Sequence, residues 1–284
     1  MFRRQYHCLI AGLADLVFDS GKGFADMAEF RDELKSILHP SDYLLVSVLF
    51  LPHDNKNLMS FLGDNATTLD PLGNYSLQDM EEQKRITESI LKEDDILPSY
   101  MVEAITGWFH PESVNDRLET EKKLTEGYFK TALSSGNCFL ENYTVFDRDL
   151  RNIFALVNSK ALGLDAIKFI SGDDPFSSWL REVYKSGKDF QIPAEPGYVP
   201  VLFKIVMENE FLERERKCDI ARWDFVNEET FFEYFTIDWL LGYLIKLSIV
   251  IRWKQLDPEA GKSMLKKLVA EMETPAKAVN MAEE

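Results

Sequence analysis

The residues with the plainest chemical potential are His53 and Asp54, an adjacent imidazole and carboxylate, with Lys56 two positions on and His39 upstream. Such groups could hold a divalent metal that activates water for attack on a phosphoester. Three features weigh against it. His39 is followed by Pro40 rather than lying inside a helix, no glycine follows the doublet, and Asp54 belongs to a pattern repeated elsewhere in the chain. No metal, cofactor or catalytic residue is therefore expected. The other candidates are weaker. Asp19, Gly21, Lys22 and Gly23 lack the spacing and the Ser/Thr of a phosphate-cradling loop and read as a turn. His7 and Cys8 are adjacent, so they point different ways on any regular element. His110, before Pro111, reads as a helix end, and no Ser or Cys lies in a nucleophile motif. Glu81, Glu82 and the charged run at 92–95 read as solvated faces, and the aromatic stripe between Trp223 and Trp253 as core rather than a ligand pocket.

Composition narrows the partners. The 284 residues carry a formal net charge of −16, with 45% apolar and 28% charged residues. That is globular composition. Strong negative charge repels phosphate backbones and anionic headgroups, so nucleic acid is not expected as a partner, and a basic protein surface is the natural complement. Cys8, Cys138 and Cys218 are odd in number and widely spaced, which fits a reducing cytoplasm better than a disulfide framework. The N-terminal apolar run is interrupted by Asp15 and lacks a small-residue cleavage site, so it reads as core. The most apolar stretch, 239–251, falls short of the roughly 20 residues of a membrane span. No direct membrane insertion is expected.

The elements that would position these residues are helical throughout. Asp26 with Glu29 predicts a helix start, and that helix ends near Leu38. Ser41 and Asp42 open an apolar helix over 43–51, stopped by Pro52. Further helices are predicted from Ser76 towards Lys92, from Pro98 to Phe109 and from Ser113 to Leu133. The next places Leu150, Ile153, Phe154, Val157 and Ala161 on one face, with Arg148, Asp149 and Arg151 off it. Asp173, Asp174 and Pro175 mark another start. A loop is predicted at 191–200, then helices near Val201 and Phe211, a last amphipathic helix after Pro258, and a frayed tail at 276–284.

The chain also resembles itself. Asp54, Lys56, Asn57, Leu58, Met59, Ser60 and Phe61 agree by class with Asp149, Arg151, Asn152, Ile153, Phe154, Ala155 and Leu156, at an offset of 95 residues. A shift of 94 carries Lys160 and Leu162 onto Lys254 and Leu256, which puts the Asp and Asn positions of a third copy at Tyr243 and Lys246. One all-α body of three units, approximately 1–95, 96–190 and 191–275, is the expectation. In each motif the acidic residue is expected near a helix start, with the apolar positions seating the helix.

Residues 54–58, 149–153, Ser159 with Lys160, 162–164, and the segments 231–245 and 257–268 carry a resemblance. The chain resembles the C subunit family of V-type and A-type rotary ATPases, called subunit d in eukaryotes, and most of all a bacterial branch that accompanies V-type ATPase subunits. The resemblance implies three helical units forming a funnel that links the central shaft to the membrane rotor ring, without nucleophile, metal or cofactor. It also implies a cytoplasmic protein, peripheral to the inner membrane through its partner subunits. Asp54, Asn57, Asp149, Arg151 and Asn152 would then be structural or interface residues. Two readings stand beside it: a metal-dependent phosphohydrolase using His39, His53 and Asp54, and an unrelated helical adaptor for a basic protein.

Overall fold

The computed structural model describes residues 4–18, 26–63, 69–89, 94–110, 116–186 and 191–255. Among them the protein is all-α, with eleven α-helices, one 3-10 turn and no strand. The helices are α1 (His7–Ala11), α2 (Met27–Ile37), α3 (Pro40–Leu62), α4 (Leu77–Glu88), α5 (Ser99–Phe109) and α6 (Arg117–Leu133). They continue with α7 (Cys138–Leu162), α8 (Pro175–Ser186), α9 (Val199–Val206), α10 (Phe211–Glu229) and α11 (Ile237–Gln255). The expected turn near Lys22, the helix after Pro258 and the tail lie outside the described residues.

Caps set most boundaries. Asp26 accepts the Ala28 N–H, Ser76 and Asp79 form a reciprocal capping box, and Asn137 accepts the Leu140 N–H. Asp174 accepts the N–H groups of Phe176 and Ser177 at the start of α8. His39 caps α3 through Ser41, with Pro40 in the first turn where its missing N–H costs nothing.

The two longest helices, α3 and α7, each serve two cores. Val46 and Phe50 of α3 and Phe139, Leu140 and Tyr143 of α7 join α2 and α11 in one apolar cluster. Further along, Leu58 and Leu62 of α3 pack with residues of α4, α5 and α6. Leu150, Ile153 and Leu156 of α7 pack in the same way with α8, α9 and Cys218 of α10. A long helix, the two short helices after it and the helix after those therefore build one core, twice over. In the cluster around α11 it is α2 that packs in, beside the N-terminal residues Leu9, Leu13 and Leu16.

Four expectations are corrected. Helix α3 runs through Pro52 instead of stopping there. Pro52 costs about 3 kcal/mol in a helix interior, and the apolar residues buried on both sides of it, Phe50 and Leu51 before and Leu58 and Met59 after, offset that. Asp54 and Asp149 consequently lie in mid-helix, far from a helix start. On α7, Arg148 and Asp149 are buried rather than off the core face, because a helix packed on α6, α8, α9, α10 and α11 has little outward side. The aromatic stripe also divides. Trp223, Phe225 and Trp239 pack against the core, whereas Phe231, Phe232 and Tyr234 stand exposed in the turn before α11.

Candidate functional site

The paired motif residues Asn57 and Asn152 do the same work. Asn57 Oδ1 accepts the Asp70 N–H at 2.7 Å, and its Nδ2 donates to the Asp70 carbonyl at 2.9 Å. Asn152 Oδ1 accepts the Ser171 N–H at 2.9 Å, and its Nδ2 donates to the Ser171 carbonyl at 2.8 Å. Each amide thus satisfies both polar groups of one residue in the segment that returns along its helix towards the next. An arginine completes each clamp. Arg31 donates to the Leu72 carbonyl and to Asn74 Oδ1, and Arg181 donates to the carbonyls of Ile170 and Gly172. Gly73 is required here, since a Cβ at this position would lie 2.6 Å from Asn57 Nδ2 and 2.9 Å from Asp54 Oδ1.

The acidic partners diverge. Asp54 Oδ1 accepts the N–H groups of Asn74 and Tyr75, and Oδ2 accepts the Asn74 side-chain amide. Burial still holds its carboxyl above the ordinary range against those three bonds. Asp149 receives the Tyr198 hydroxyl at 2.8 Å and the Arg148 guanidinium at 3.3 Å, and Arg148 also pairs with Asp174 at 3.0 Å. Burial pushes Asp149 up to about 6, with Tyr198 and Arg148 pulling the other way. At the third position Tyr243 donates to the Ala14 carbonyl, and Lys246 donates to Asn227 Oδ1.

The groups named for metal chemistry are not gathered. His39 sits at the start of α3 among Ser41 and Arg4, and His53 meets the Asp70 carboxylate at 2.9 Å. The two imidazoles stand 14 positions apart, which is roughly 20 Å along a helix. Asp54 is turned to the backbone of Asn74 and Tyr75.

A cleft of about 900 Å3 opens between α3, α7, α10 and α11, and the start of α2 with Asp26 and the 70–72 segment with Asp70 also line it. Its wall carries a chain of alternating charges. Asp147 accepts Nε of Arg151 at 2.7 Å and Nε of Arg222 at 2.9 Å. Arg222 Nη1 donates to Asp219 at 3.0 Å, and Asp219 also receives Arg252 and the Trp253 indole N–H. Although Asp147 is buried, the adjacent Arg151 and Arg222 hold its carboxyl far below the usual range, and Asp147 in turn raises Arg222 despite that group's own burial.

Among the residues singled out in the sequence, Arg151 alone belongs to this chain of charges. Asp147 with Arg151 and Asp219 with Arg222 stand at the i,i+4 and i,i+3 spacings of helical ion pairs, a signal that the sequence offers, but only the packing of three helices joins the two pairs to each other and to Arg252.

Residues 3–276 match the family model described as "Protein of unknown function (DUF2764)", and the chain belongs to that family. No curated protein and no solved structure matches it. Among the described residues no helix is long and apolar enough to cross a membrane.

Proposed function

We propose that the protein is a non-catalytic coupling subunit of a V/A-type rotary ATPase, linking the central shaft to the membrane rotor ring at the cytoplasmic face. The observation that supports the reading most is the reuse of one device. Asn57 and Asn152 lock onto a returning segment through the same pair of hydrogen bonds, 95 residues apart. A coupling element needs stiffness and complementary surfaces rather than a reactive group. The doubled clamps and the charge chain between α7, α10 and α11 serve stiffness. The net charge of −16 suits a basic partner such as a shaft foot.

Isolation of the tagged chain from its native host, followed by mass spectrometry, tests the reading. Shaft and ring subunits of a rotary ATPase should be recovered in stable proportion. The association should weaken between about 0.1 M and 1 M salt, where the screening length falls from about 10 Å to about 3 Å. Recovery of the chain from a host that expresses the ATPase, without any of its subunits, overturns the proposal.

A further inference from the structure

We infer that the cleft between α3, α7, α10 and α11 is a binding site for a small phosphate-bearing molecule, held by Arg151 and Arg222. Asp147 grips both guanidiniums through their Nε atoms, and Asp219 takes one further nitrogen of Arg222. Among the described residues no hydrogen bond reaches Nη1 or Nη2 of Arg151, or Nη2 of Arg222. Both side chains line the cleft. A guanidinium fixed at one edge and open at the other loses little freedom when an anion arrives.

The unshared guanidinium donors favour an anion. Along the chain Arg151, Asp147, Arg222, Asp219 and Arg252, three guanidiniums meet two carboxylates, Arg252 also nears Glu215 at 3.8 Å, and Lys254 adds a further cation to the lining. Asp26 and Asp70 line the cleft as well, but Asp26 caps α2 and Asp70 is engaged by His53 and Lys56, so the groups left to meet an anion are the unshared guanidinium nitrogens. Two separate guanidiniums suit a tetrahedral phosphate better than a carboxylate, which a single fork satisfies. The Ser248 hydroxyl adds a polar group on the same wall, and Tyr143, Ile245 and Ile249 give an apolar surface for an organic body. The volume of about 900 Å3 is that of a small-molecule site.

The inference stands apart from the coupling proposal and is tested on the isolated full chain. Calorimetric titration at low salt with inorganic phosphate, ADP and succinate is the measurement. ADP and phosphate should bind saturably, ADP more tightly, and Arg151→Gln should weaken both by about tenfold or more. Arg151→Lys should fall between the two. Arg151 suits the test because its side chain is 55% exposed and Asp147 keeps Arg222, so the variant should fold, which an unchanged melting temperature checks. Arg85→Gln, on α4 away from the cleft, should bind as the parent does. Absence of binding up to about 10 mM, binding unaffected by Arg151→Gln, or succinate binding as tightly as ADP would each overturn the assignment.

Discussion

Asn152 and Ser171 are joined by two hydrogen bonds, one in each direction between the side-chain amide and the backbone, and both residues are buried. Asn57 holds Asp70 in the same way on α3. An amide in that position is worth more than its bonds alone, because removing it leaves a peptide N–H without a partner, although the Ser171 carbonyl keeps the Ser177 hydroxyl and the Asp70 carbonyl keeps the Gly73 N–H.

Replacing Asn152 by Ala should therefore cost about 1–3 kcal/mol, the range for one buried N–H left unmet. Asn57→Ala should cost somewhat less, because Asp70 is only half-buried. Asn142→Ala, which removes an exposed contact to Glu229, should change stability by under about 0.5 kcal/mol. Urea denaturation of the three variants makes the comparison, and equal losses at all three positions would discount the clamps.

Asp147 and Asp149 should drive opposite pH dependence. Asp147 titrates below its unfolded value, so its contribution is complete above the ordinary carboxylate pKa of about 3.9 and is lost as the pH falls below it. Asp149 titrates at about 6, above its unfolded value. Its contribution is complete below about 4 and lost as the pH rises through about 6. Asp149→Asn should remove a decline of up to about 3 kcal/mol in unfolding free energy between pH 4 and 7. Chemical denaturation across that range checks the sign, and an unchanged slope would refute it.

Asp147→Asn should be damaging at neutral pH. It leaves Arg222 with Asp219 alone in a buried setting, a change that typically costs roughly 3–5 kcal/mol. Arg151→Gln, whose side chain reaches solvent, should cost under about 1 kcal/mol. Comparable losses from the two would contradict the burial assigned to this chain of charges.

Two glycines should respond in opposite directions to Ala. A Cβ on Gly127 of α6 would overlap the Tyr100 ring of α5, so Gly127→Ala should destabilise by about 1–3 kcal/mol. A Cβ on Gly107 of α5 would meet nothing within 4 Å, and this glycine is exposed, so Gly107→Ala should stabilise by about 0.5–1 kcal/mol. Thermal melts of both variants suffice.

The all-α class and most helix boundaries were legible in the chain because caps and prolines act locally. Asp26, Ser76 and Asp174 each fix a helix start through contacts within a few residues, whereas α3 starts at Pro40 under a His39 cap rather than at Ser41. The alignment of Asn57 with Asn152 was legible too, since each serves a segment not far along the chain. What tertiary packing alone decided was the fate of Pro52, Arg148 and Asp149, where burial on several sides outweighed local preference and helical period. It also decided the cleft. Asp147, Asp219, Arg222 and Arg252 lie on three helices, and a charge finds its partner across such distances only when apolar burial has already set the helices side by side.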